Sequence, residues 1–181
     1  TLCAALTISI IKKWVRKTLD VETAFLEGIL NEQIFMENPP GYHEILEDLG
    51  GEYKELLDGL TDEDICELFR TIYGLVQAAL CWYKKIAATL IDDLGYTRSK
   101  SDPCLFYRCN EKGECIVLLY VDDSALLGEE AAVEETYKKL KLHYTVKIKD
   151  MDEYIGCKFE PTEKGLLLHQ PRLLKRMETK F

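Results

Sequence analysis

The chain has 181 residues, 47% of them hydrophobic, enough apolar content for a buried core, which excludes wholesale disorder. Its longest apolar run, residues 115–121, is strand-sized and far short of the roughly 20 residues a membrane-spanning helix needs. The net charge of −9 argues against a nucleic-acid partner, but the imbalance is local: residues 41–69 hold ten acids against the single base Lys54, and the rest of the chain is balanced.

In chain order, residues 2–14 are apolar with a basic end and fit either a helix or, because Ile8, Ile10 and Ile11 are β-branched, a strand. Lys12, Lys13, Arg16 and Lys17 follow this stretch instead of preceding it, so no signal peptide is predicted. Thr1 in place of a start Met leads us to expect a fragment of a longer reading frame. Residues 14–21 alternate as a strand that ends at Asp20, and 33–36 form a short strand stopped by Asn38-Pro39-Pro40-Gly41. Residues 42–66 are expected to be an acidic insertion or loop on the surface.

A strand over 66–72 and a helix over 77–94 come next. The helix buries Leu80, Tyr83, Ala87, Leu90 and Leu94 on one face and ends at Gly95. Residues 104–109 and 115–120 make a hairpin around Asn110–Glu114, and 124–127 resume strand character after Val121-Asp122-Asp123. A second helix over 129–143 lines Val133, Tyr137, Leu140 and Tyr144 on one face, with Glu134–Lys138 and Glu135–Lys139 as favourable pairs. Residues 154–160 and 166–170 read as a last hairpin, and Pro171 can open a final helix. Strands and helices mix without strict alternation, so the predicted class is α+β: an antiparallel sheet with helices packed on one face. Seven cysteines, an odd number with no C-x-x-C pair, and three dispersed histidines fit reduced thiols better than a disulfide framework or a zinc site.

The chemistry sits in two places. Asp20 ends a strand in Leu19-Asp20-Val21-Glu22-Thr23-Ala24-Phe25, and Asp122-Asp123 interrupts an otherwise apolar strand pair. Carboxylates buried beside strands are costly unless compensated. A pair of Asp at a turn facing a third at a neighbouring strand end makes a hard-oxygen cage suited to Mg²⁺.

The chain resembles the reverse transcriptase domain of Ty1/copia-type LTR retrotransposons. Four blocks carry the resemblance: Leu19–Gly28, Ile34–Tyr42, Ile72-Tyr73-Gly74-Leu75-Val76-Gln77-Ala78 with Trp82-Tyr83, and Leu119-Tyr120-Val121-Asp122-Asp123. Ser101–Phe106 and Tyr154-Ile155-Gly156 are weaker echoes. The resemblance implies a polymerase palm with a ferredoxin-like core and partial fingers over residues 1–181. It implies RNA-directed DNA synthesis by two-metal nucleotidyl transfer, with two Mg²⁺ ions for which Mn²⁺ can substitute. Asp20, Asp122 and Asp123 become the catalytic carboxylates, with the Val21 carbonyl assisting at the metal. Phe25 becomes the aromatic that excludes a 2′-hydroxyl, and Ala24, Tyr73, Gly74 and Gln77 become its nucleotide-binding neighbours. Plain core packing stays open for Phe25 and a helix N-terminal role for Gln77, while Trp82 and Tyr83 are expected in the helix core.

The implied partners are a primed RNA or DNA template, dNTP and the rest of a Gag-Pol polyprotein with integrase and RNase H, without a membrane. The implied location is intracellular, in a cytoplasmic virus-like particle with nuclear delivery of product. The family continues Gln-Ala with Pro-Arg-Ala-Trp, whereas here Ala79-Leu80-Cys81-Trp82 follows, and Asp150-Met151-Asp152 replaces its Asp-Leu-Gly element. These departures keep a second reading, a folded but catalytically silent remnant that binds at most. A different two-metal palm enzyme is a third, which the Tyr73-Gly74-Leu75 and Pro39-Pro40-Gly41 blocks disfavour.

Overall fold

The computed structural model describes residues 1–55, 61, 64–163 and 165–179. Helix α1 (Leu2–Ile11) leads into β1 (Val15–Val21), a 3₁₀ turn (Ala24–Glu27) and β2 (Ile29–Glu37). Helices α2 (Tyr42–Leu49) and α3 (Glu52–Glu55) precede β3 (Ile65–Arg70) and α4 (Ala78–Ala88), which runs on into a π turn (Thr89–Asp93). Strands β4 (Thr97–Arg98), β5 (Leu105–Asn110), β6 (Gly113–Tyr120) and β7 (Asp123–Gly128) follow, then α5 (Glu130–Leu140) and β8 (Val146–Asp150). The described chain closes with β9 (Glu153–Tyr154), β10 (Cys157–Thr162), β11 (Gly165–His169) and α6 (Pro171–Glu178), the last opened by its proline as expected.

The main sheet is antiparallel in the order β4-β5-β6-β7-β1-β8, beside a three-stranded sheet β11-β10-β9 and a two-stranded sheet β2-β3. The architecture is therefore mixed α and β with antiparallel sheets. Side chains of a strand alternate between faces, and each face of the main sheet is covered differently. Leu19, Val21, Val117, Leu119 and Leu126 pack against Trp82, Ile86 and Leu90 of the α4 region and against Ala132, Val133 and Leu140 of α5. On the other face Leu118, Ala125 and Leu127 meet Ala5 and Leu6 of α1, with Trp14, Tyr154 and Phe159. Helices thus lie on both faces, where the sequence led us to expect one. The reason is the composition of α1, which is apolar on every side and fills the space over β7.

Trp82 is 1% exposed and meets the Tyr144 ring edge-on at 5.3 Å, a core role as expected. Leu80 is not part of that face; it is 54% exposed, and the buried stripe of α4 is Ala78, Trp82 and Ile86 at i, i+4 spacing. The helical pairs Glu134–Lys138 (3.3 Å) and Glu135–Lys139 (3.0 Å) form on α5. Glu135 also meets the buried Arg108, whose guanidinium reaches Leu94 O (2.9 Å), Glu135 Oε2 (2.9 Å) and Thr136 Oγ1 (3.1 Å) and stacks 4.8 Å from the Tyr96 ring centre.

Other elements also differ from expectation. The strand expected over 154–160 is split by a tight turn at Ile155-Gly156, both left-handed (φ 51° and 70°), which folds β9 back on β10. Strand β8 was not expected, although Val146 and Ile148 face the core between Lys147 and Lys149. The acidic stretch is helical in α2, where Leu46 is buried, and in α3; residues 56–60 and 62–63 lie outside the described residues. No helix among the described residues is long and apolar enough to cross a membrane.

Candidate active site at the open end of the sheet

β6 and β7 are joined by the two residues Val121-Asp122, so Asp122 occupies the turn itself and Asp123 opens β7 opposite Tyr120. A two-residue hairpin needs a positive φ at its first turn position, and Val121 supplies it at φ 57°. A β-branched residue is a steric outlier there, and such backbone costs about 1–3 kcal/mol, so the turn is held by its strands at the expense of local strain. Asp123 is also the cross-strand partner of Asp20, because β7 pairs with β1 on its other side. Asp20 in turn pairs with Lys147 of β8.

Residues separated by a hundred positions therefore form one row across three strands. Thr18, with Leu19 inward of it, lies on the same outward face as Asp20, opposite Lys149. Asp20, Asp122 and Asp123 are all exposed, which corrects the expectation that these carboxylates are buried: the sheet ends where they begin. Strand ends on either side still partly desolvate the Asp123 carboxyl. That desolvation, and then the charges of Asp122 and Asp20, hold its pKa above the ordinary carboxylate range, against a lowering by Lys149.

A cleft of about 600 Å³ opens beside this row, lined by Asp20, Asp123, Lys149, Tyr154, Gly156 and Arg172 among others. Tyr154 is 4% exposed and donates to Leu118 O (3.2 Å); burial first, then the Asp123 charge, push its phenol pKa up. Lys147 is ion-paired with Glu22, which raises its pKa. Arg172 reaches Glu153 at 3.3 Å. Among the described residues no three His, Cys, Asp or Glu side chains already converge as a metal cage. The donor set is nevertheless all carboxylate oxygen, and its mutual repulsion is what a hard cation relieves, so the residues fit a divalent ion of the Mg²⁺ type in chemistry.

The other residues singled out in the sequence fall into a second group. The Phe25 ring is half-buried and meets the Tyr73 ring at 5.0 Å and 59°. Ala24 is fully buried in the helix-side core and Val21 is 4% exposed there, opposite Val146 of β8. Gly74 takes φ 100° in the exposed turn before α4. Gln77 occupies the N-cap position of α4 but does not cap it; its Nε2 donates to Glu32 Oε1 of β2 at 3.0 Å. Sequence reasoning misses Thr71, 0% exposed, whose hydroxyl donates to Phe25 O. Its one local signal is a β-branched hydroxyl residue near the end of the strand pattern over 66–72, where Glu67 and Arg70 are polar as well.

A family profile described as reverse transcriptase (RNA-dependent DNA polymerase) matches residues 2–181. The chain is 33% identical over 171 residues to the retrovirus-related Pol polyprotein from transposon TNT 1-94 of Nicotiana tabacum, covering 90% of this chain and 12% of that protein. It is 29% identical over 169 residues to the corresponding polyprotein from transposon RE2 of Arabidopsis thaliana, covering 92% and 11%. A putative transposon Ty5-1 protein of Saccharomyces cerevisiae is 26% identical over 149 residues, covering 81% and 44%. This chain thus spans little more than a tenth of the plant polyproteins it matches. No solved structure matches it significantly. By the extent of the profile match and the identity of these relatives, the chain belongs to the reverse transcriptase (RNA-dependent DNA polymerase) family, in its Ty1/copia-type retrotransposon branch.

Proposed function

We propose that this chain is the palm, with part of the fingers, of an RNA-directed DNA polymerase that extends a primer 3′-hydroxyl with deoxynucleotides. The observation that carries the reading is the pairing of Asp20 with Asp123, one residue from Asp122 in a strained turn, at the open end of the sheet. In this reading the six-stranded sheet with α4 and α5 is the ferredoxin-like core, β2-β3 belongs to the fingers, and residues 42–66 are an acidic insertion between them.

Asp20, Asp122 and the Val21 carbonyl would hold two Mg²⁺ ions, with Mn²⁺ able to substitute, and Asp123 completes the group. When bound, such ions supply the charge neutralisation that phosphoryl transfer needs. The protein's own residues position and select. Lys149 offers positive charge in the cleft for backbone phosphates. Phe25 stands as the barrier to a 2′-hydroxyl, with Tyr73, Gly74 and Gln77 framing the nucleotide and Ala24 acting through its backbone. The partners are primed template, dNTP, and the integrase and RNase H parts of a Gag-Pol polyprotein, in a cytoplasmic virus-like particle with nuclear delivery of product.

One observation favours the silent remnant: Leu80 and Ala79 stand where the family has Arg and Pro, and Leu80 leaves an exposed apolar side chain in place of a cation. Primer extension on RNA by the full-length protein that carries this sequence separates the two. Extension that falls about a hundredfold or more in Asp20→Asn and Asp122→Asn supports the polymerase. No extension by the unaltered protein, or extension indifferent to both changes, overturns it.

A further inference from the structure

The turn that carries Phe25 is fastened more firmly than a surface loop requires. Thr71, 0% exposed, donates its hydroxyl to Phe25 O and its backbone N–H to Gly28 O (3.0 Å). Gly28 is pressed so close that a Cβ built there would lie 2.5 Å from Thr71 Oγ1 and 2.9 Å from Cys81 Cβ. Its φ of −67° is ordinary, so the missing side chain serves contact, not backbone freedom. Glu27 is tied to Lys85 of α4 at 2.5 Å, and Arg70 stands 4.0 Å from the same oxygen. Tyr73, 56% exposed, lays its ring on Phe25. Arg70, Thr71 and Tyr73 thus come from one short segment leaving β3, and all act on one turn.

We propose that residues 70–73 form a strap that fixes the Phe25 ring, making Thr71 and Tyr73 positioning residues for sugar selection. The inference rests on the reading of Phe25 as the barrier to a 2′-hydroxyl and adds what makes that barrier stiff. Selecting against one oxygen atom demands that the ring hold its place to a fraction of an ångström, which a lone aromatic on a 3₁₀ turn does not do unaided. Thr71 fixes the carbonyl of Phe25, and with it the direction of the Cα–Cβ bond. Tyr73 fixes the ring from outside. A contact made by a side chain more than half exposed contributes little to the core, so its value lies in what it orients.

The test compares kcat/KM for a dNTP and the matching rNTP in the full-length protein that carries this sequence, copying primed RNA. Phe25→Val is the reference and should lose selection most. Thr71→Val, which keeps shape and removes the donor, and Tyr73→Ala should each raise relative rNTP use about fivefold, the scale of one hydrogen bond or one ring pair. Thr71→Ser and Tyr73→Phe should restore selection, which a merely structural loss would not explain. Wild-type selection in both Thr71→Val and Tyr73→Ala, with selection lost in Phe25→Val, overturns the strap and leaves the barrier standing. Wild-type selection in Phe25→Val removes the barrier and the strap together. If Thr71→Val melts below the assay temperature, the same comparison is made at a lower temperature where it is folded, because Tyr73 also frames the nucleotide and Tyr73→Ala alone does not separate the strap from direct contact.

Discussion

On the face of the main sheet covered by α4 and α5, Leu19, Val21, Val117, Leu119 and Leu126 are each 6% exposed or less. On the opposite face, the same β1 strand presents Thr18 and Asp20, and its neighbours add Asp123, Lys147 and Lys149. That second face is closed by α1 and β9–β11 over Ala125 and Leu127 but left open at the end where the carboxylates stand. One strand therefore contributes to stability and to the candidate chemistry on alternate residues. The teaching is that charges can be gathered without burial at the uncovered end of a face when the apolar area comes from the other face and from the covered part of their own.

The sharpest way to break that comparison is to weaken the closed face. Trp82→Ala should cost about 3–5 kcal/mol in urea denaturation, as expected of a large aromatic removed from a packed core. Arg108→Leu should cost about 2–3 kcal/mol, because Glu135 and the Leu94 carbonyl lose a buried donor while Asn110 and Lys139 keep Glu135 partly satisfied. The same group gives a pH signature. Hydrogen bonds from Asn110 and Lys139, then the Arg108 charge, hold the Glu135 carboxyl below its ordinary range. Its stabilisation is present above the unfolded pKa and is lost as pH falls through the lowered folded value. Melting followed downward from about pH 4.5 should therefore show a smaller acid loss in Glu135→Gln than in the unaltered chain.

Gly28→Ala should cost about 1–3 kcal/mol, since Thr71 and Cys81 leave no room for a methyl group, and thermal melting reads it. On the open face the sign reverses. Asp123→Asn removes a like charge from the Asp20 and Asp122 group, so it should raise the melting temperature by about 1–2 °C at neutral pH in the absence of divalent ions. A loss of stability there would mean that Asp123 holds the sheet together and would blur the division between the faces.

Much of this division was legible in the residues. The strand that carries Asp20 near its end, the Val121-Asp122 turn, the α5 pairs and the core position of Trp82 follow from alternation, turn chemistry and helical spacing. What was not legible depended on tertiary neighbours. Leu80 fits an apolar helical stripe as well as Trp82 does, and only the sheet decides which is covered. Strand β8 has lysine at two of its five positions, and its Val146 and Ile148 count as core only once β1 lies alongside. The helix α1 gave no amphipathic signal from which a face could be read. The bonds that Thr71 donates to Phe25 O and Gly28 O join segments more than forty residues apart, beyond the reach of any local pattern. The exposure of the three aspartates likewise reflects where the sheet stops, which no strand reveals by itself.

The most direct test is Mn²⁺ titration of the chain, unaltered and as Asp20→Asn and Asp122→Asn, with melting followed on the same samples. The expected result is a saturable site that both substitutions weaken about tenfold or more while the fold is kept, which would make residues a hundred positions apart a single divalent-ion site on the open face. Binding unchanged by either substitution, or no binding by the folded unaltered chain, would contradict it.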